Sequence, residues 1–143
     1  MKEVNVIYWS STGNTQAMAE AVGAGLEEAG GKANVMEVSA ADVSMLKDTD
    51  SFALGASAMG DEELDAEMDD FVTAVEGICS GKTVGLFGSY DWGDGEWMRK
   101  WVDRMTAAGA TVVNGEGLIC QETPDDAMLE ECKNLGKSLA ANA

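Results

Sequence analysis

Val4-Asn5-Val6-Ile7-Tyr8-Trp9 runs directly into Ser10-Ser11-Thr12-Gly13-Asn14-Thr15, and that tract opens Gln16-Ala17-Met18-Ala19-Glu20-Ala21-Val22. The first six residues are a short, nearly continuous apolar run, the pattern of a strand buried on both faces. Residues 16–28 place Met18, Val22 and Leu26 on one helical face. Between them lie six small hydroxyl, amide and glycine residues. Strand, small polar loop and helix together make an anion cradle, because free N–H groups at a helix start and nearby hydroxyls converge where the dipole is positive. No Lys or Arg occurs from residue 3 to residue 31. Phosphoryl transfer needs cations on the moving charge. The tract is therefore expected to hold a phosphate with neutral donors and leave it unaltered.

Composition narrows the chemistry. The 143 residues, 45% hydrophobic, suit one domain spanning residues 1–143 with a full core. No apolar run is long enough to cross a bilayer, and no signal-peptide pattern opens the chain, so a monomeric cytoplasmic protein without membrane contact is expected. Cys79, Cys120 and Cys132 lack CxxC spacing and are read as packing or reduced thiols. The net charge is −17 and there is no histidine. Such a surface repels nucleic acid. Without histidine the usual general base and the commonest transition-metal ligand are missing. Chemistry must come from carboxylates, thiols or a bound cofactor. The acidity suggests a basic protein partner, or serves solubility alone.

The rest of the chain alternates. Strands are expected at residues 4–9, 33–38, 51–57 and 83–88, with a fifth strand region at 110–113 and 118–120 interrupted by Asn114-Gly115-Glu116-Gly117. Helices are expected at 16–28, 64–76 and 96–108. A last helix has Thr123 as N-cap and Pro124 in its first turn, and carries Met128, Cys132, Leu135 and Leu139. Trp97 and Trp101 fall at helical spacing and read as core. This alternation means an α/β fold, a doubly wound parallel sheet with helices on both faces. Gly81-Lys82-Thr83 resembles the end of a Walker loop but precedes a strand, and the acids from Asp61 to Asp70 read as the polar face of a helix.

Ligands of such sheets sit beyond the carboxyl ends of the strands. Three loops meet there: Ser10 to Thr15, then Ser57-Ala58-Met59-Gly60-Asp61-Glu62, then Ser89-Tyr90-Asp91-Trp92-Gly93-Asp94-Gly95. Met59 and Trp92 stand on loop tips among Gly and Asp, where large apolar groups are costly in water. Beside a phosphate cradle, that pair suits a flat aromatic ligand held between thioether and indole.

These three motifs, in this order, resemble the flavodoxins, specifically the short-chain type of anaerobic bacteria. Gln121-Glu122-Thr123-Pro124-Asp125 is a weaker match. The resemblance spans essentially the whole chain, and residues 114–117 leave no room for the long-chain insertion. It implies the five-strand order 2-1-3-4-5, non-covalent FMN and low-potential one-electron transfer between redox enzymes. It also implies a non-enzymatic role, with partners such as reductases and ferredoxin-linked oxidoreductases bearing basic docking surfaces. By this resemblance Ser10, Ser11, Thr12, Gly13, Asn14 and Thr15 bind the phosphate. Ser57, Ala58, Met59, Gly60, Asp61 and Glu62 form the second loop, with Met59 on one face of the ring and Glu62 accepting from its pyrimidine N–H. Trp92 covers the other face, and the backbone of Ser89, Tyr90, Asp91, Trp92 and Gly93 meets the ring's carbonyl edge. The Gly60 carbonyl is expected to turn inward when flavin nitrogen 5 is protonated. Asp91 departs from the pattern, standing where the family usually has glycine. Aspartate adopts positive φ less freely than glycine, so the backbone angles of this loop are the open point. An FMN-dependent reductase of the same fold is the alternative. A phosphate-responsive receiver domain fails, since it needs acids where the chain has Ser10 and Ser11.

Overall fold

The computed structural model describes residues 3–11, 13–59, 63–91, 93 and 95–142. Strand β1 (Glu3–Trp9) lies inside a parallel sheet, with β2 (Lys32–Glu37) at the edge on one side and β3 (Ser51–Ala56) on the other. β4 (Thr83–Tyr90) follows β3. Beyond it, β5 (Thr111–Val112) and β6 (Leu118–Gln121) pair with successive parts of β4. The order is β2-β1-β3-β4-β5, with β6 continuing the fifth position after the break at residues 113–117. Asn114 makes that break, in the left-handed region at φ 62°, a conformation asparagine tolerates better than most residues.

The period of two sends alternate residues of β1 to opposite faces. Val4, Val6 and Tyr8 join a core with Met18, Val22 and Leu26 of α1 (Asn14–Glu28) and Cys132, Leu135 and Leu139 of α4 (Asp126–Ala141). Ile7 faces the other way, toward Met68 and Val72 of α2 (Ala66–Glu76) and Trp97 and Trp101 of α3 (Glu96–Ala107). Each fully buried Leu or Met contributes about 1.5–3 kcal/mol over an exposed one. The two tryptophans are core, as their spacing predicts, although their indole N–H groups are buried without a partner among the described residues. Arg104 ties α3 to α2, reaching Asp69 at 2.6 Å and Glu76 at 2.8 Å. Burial works against its charge, and the two carboxylates more than offset that and raise its pKa. Cys79, Cys120 and Cys132 are buried and free, and burial pushes the Cys132 thiol up to about 12. No helix among the described residues is long and apolar enough to cross a membrane.

Several boundaries differ from expectation. α4 is capped by Asp125, whose carboxylate accepts the Met128 N–H at 2.8 Å, so Thr123 and Pro124 precede the cap. A charged acceptor at the positive end of the dipole outcompetes a hydroxyl two residues earlier. α2 starts two residues later than its apolar face suggests, behind Asp65. α1 starts two residues earlier, at Asn14, which moves Asn14 and Thr15 from the loop into the first turn. β4 extends through Ser89 and Tyr90 because β6 supplies partners for both, Cys120 and Gln121.

Candidate functional site

The carboxyl ends of β1, β3 and β4 lie side by side, and the loops leaving them share one edge. The first loop turns at Gly13, whose φ of 93° favours glycine. Open space surrounds the point where a Cβ would sit. Ser10 Oγ accepts the Gly13 N–H at 3.0 Å and the Gln16 N–H at 3.4 Å, bending the loop over the helix start. The N–H groups of Asn14 and Thr15 have no partner among the described residues. These are the orphan donors that every helix start leaves.

The charge pattern sets α1 apart. α2 carries Glu67 and Asp69 in its first turn, α3 Glu96 and α4 Asp126. Two of these helices also have carboxylate caps, Asp65 and Asp125. α1 has a glycine at its cap position and no first-turn acid, so no carboxylate meets its start, in a chain of net charge −17. Its positive end is left open to an external anion. Neutral hydroxyls, free N–H groups and an uncrowded glycine fit a phosphate that is gripped and not transferred.

Beneath the loop, three hydroxyls from distant parts of the chain meet. Thr15 Oγ1 lies 2.8 Å from Ser57 Oγ and 2.8 Å from Ser89 Oγ, and Ser57 and Ser89 are 3.3 Å apart. The Ser89 N–H also donates to Thr15 Oγ1, at 3.3 Å. All three residues are at most 4% exposed. The second loop is tied down by the Ala58 N–H on the Ser89 carbonyl, 2.9 Å, and closed by the Met59 N–H on the Glu63 carbonyl, 2.9 Å. Ala58 is half-buried, while Met59 is 39% exposed, an outward-facing thioether. In the third loop, Asp91 and Gly93 are exposed, and Gly93 takes φ 91°. The half-buried Tyr90 ring packs on Trp97 at 5.6 Å.

Ser10, Ser11, Gly13, Asn14, Thr15, Ser57, Ala58, Met59, Ser89, Tyr90, Asp91 and Gly93 are thus gathered at one sheet edge. Thr12, Gly60, Asp61, Glu62 and Trp92 lie outside the described residues. Asp91 is not among the described non-glycine residues with positive φ, which are Asn114 and Glu122. The substitution for glycine therefore requires no left-handed aspartate. Sequence reasoning missed what pins this loop. Gln121 Nε2 donates to the Asp91 carbonyl at 3.2 Å, and the Glu122 N–H to the Tyr90 carbonyl at 2.8 Å. The signal was the stretch from Gln121 to Asp125, whose importance depends on β6 pairing beside β4.

Comparison with known proteins agrees with this arrangement. The flavodoxin family model matches residues 6–136. A flavodoxin of Clostridium beijerinckii is 44% identical over 138 residues, covering 96% of this chain and 99% of that one. One of Megasphaera elsdenii is 43% identical, covering 96% and 98%. The solution structure of the two-electron reduced Megasphaera elsdenii flavodoxin superposes with a TM-score of 0.85 at 42% identity, covering 96% of this chain and 98% of that one. With a cradle, a sheet order and near-full-length relatives all in agreement, the chain belongs to the flavodoxin family.

Proposed function

We propose that the protein holds one FMN across the carboxyl ends of β1, β3 and β4 and uses it to carry electrons singly between redox enzymes. Flavodoxins are FMN-binding electron carriers and not enzymes, and membership brings that function to this chain. The reductase alternative gains no support from its relatives. When bound, FMN supplies the one-electron chemistry; the chain's residues bind, orient and shield it. Ser10, Ser11, Thr12, Gly13, Asn14 and Thr15 receive the phosphate. Met59 and Trp92 take the two ring faces, Glu62 the pyrimidine N–H, and the backbone from Ser89 to Gly93 the carbonyl edge. The observation that carries this assignment is the acid-free start of α1, with N–H groups at Asn14 and Thr15 that have no partner among the described residues. The test is the purified protein's flavin content. One FMN per chain, released by acid, is expected; FAD, or a colourless protein that takes up no FMN, overturns the assignment.

The partners are assigned as redox enzymes with basic docking faces, met by this one-domain protein as a cytoplasmic monomer. The net charge of −17 supports this. Electrostatic steering raises association rates by about 10–1000-fold, and the Debye length shrinks to about 3 Å at 1 M salt. Second-order electron-transfer rates with a partner reductase are therefore expected to fall by about tenfold or more between low salt and ~1 M. Stopped-flow measurement checks this, and a flat salt profile assigns recognition to apolar contact instead.

A further inference from the structure

We propose that Ser89, a residue of β4, positions the phosphate donors, acting through Thr15 to set which hydroxyl protons face the anion. The proposal rests on the FMN reading above and adds a role for the Ser89 side chain, which does not itself meet the phosphate.

A threonine hydroxyl has one proton and two acceptor sites. Thr15 Oγ1 has three contacts: Ser57 Oγ, Ser89 Oγ and the Ser89 N–H. The N–H can only donate, so it takes one acceptor site. Two hydroxyl arrangements remain. In one, Ser57 donates to Thr15, Thr15 donates to Ser89, and the spare proton sits on Ser89 within the sheet. In the other, Ser89 donates to Thr15 through both its N–H and its O–H. Both acceptor sites are then filled. Thr15 must then give its proton to Ser57, and Ser57 keeps its own proton for the loop side.

Placement decides between them. Ser57 follows β3, and its N–H reaches the Trp9 carbonyl at 3.3 Å, one residue before Ser10. Ser89 lies one strand farther from β1. Only the second arrangement leaves the spare proton on Ser57, the hydroxyl nearer the first loop, so a bound anion selects it, and Ser89 makes it available. The third edge of the triangle, 3.3 Å, is beyond the usual range for paired hydroxyls and holds the spare proton weakly. Burial keeps water from substituting for Ser89 and strengthens each remaining bond.

The test uses holoprotein loaded with FMN or with riboflavin, diluted while released flavin is followed by fluorescence. Ser89→Cys keeps the side-chain volume close to serine and replaces a strong donor with a weak one. It is expected to weaken FMN binding about three- to tenfold, the worth of one neutral hydrogen bond, and to leave riboflavin binding within about twofold. In a Thr15→Val background it should add no further loss. Equal losses for FMN and riboflavin would mean a structural loop role and overturn the proposal. So would an unchanged FMN constant, or a full effect persisting without the Thr15 hydroxyl. Ser89→Ala repeats the measurement should the cysteine variant not fold. A wild type that does not prefer FMN sinks the cradle, and this proposal with it. A wild type that prefers FMN beside an unaffected Ser89→Cys sinks the proposal alone.

Discussion

Riboflavin is expected to bind this protein about a thousandfold more weakly than FMN. The difference between the ligands is the phosphate, and the start of α1 holds donors for it. Asn14 and Thr15 hold out backbone N–H groups with no partner among the described residues. The start of α1 adds its dipole without an acid to compete. A hydrogen bond to a charged group contributes about 1.5–3 kcal/mol, and two of them about 3–6. At 1.4 kcal/mol per decade, that is roughly 100- to 20,000-fold, with the dipole adding about 0.3–1 kcal/mol. Titration of both flavins at fixed ionic strength, read by fluorescence quenching, gives the ratio. A preference below about tenfold, less than one charge-assisted bond, would remove the cradle from the account.

Replacing Gly136 with alanine is expected to destabilise the fold by about 3 kcal/mol or more, the upper end of the overpacking range. Helix propensity alone predicts the opposite, a gain of about 1 kcal/mol for Gly→Ala inside α4. Packing decides the sign. A Cβ at Gly136 would lie 2.1 Å from the Val22 carbonyl oxygen and 2.8 Å from the Leu26 nitrogen, both backbone atoms of α1. From the other helix, a Cβ at Gly25 would lie 2.0 Å from the Lys133 carbonyl oxygen. The obstacles are main-chain atoms inside helices and cannot rotate away, so the helices must part. Denaturant unfolding of Gly136→Ala and Gly25→Ala measures the cost. The double variant should cost less than the sum, because both open the same gap. Separation of α1 also shifts the loop at its start, so FMN binding should weaken in parallel. An alanine variant more stable than wild type would show that the close approach is not a constraint.

Much of the architecture was legible along the chain. The switch from an apolar run to a 3.6-residue period at Ser10 marks a strand, a loop and a helix whatever surrounds them. The doubly wound sheet follows from repetition of that unit, and the position of the three loops from the chemistry of such sheets. Boundaries were less legible where two local signals competed. Thr123 and Asp125 both suit a helix cap, and the carboxylate wins by charge. Ser89 and Tyr90 read as loop until β6 arrives beside them to pair.

What the sequence determined by itself is therefore what depends on near neighbours: the alternation of elements, the acid-free start of α1, the acidity of the whole. What only the tertiary structure decided is which distant groups become partners. Thr15 meets Ser57 and Ser89 across 42 and 74 residues. Gln121 meets Asp91 across 30. Gly25 and Gly136 matter because two helices cross there. A hydroxyl or a missing Cβ carries no mark of its partner in the residues beside it. Its energy is set by the atoms brought within about 3 Å, and only the packed sheet and helices bring them there.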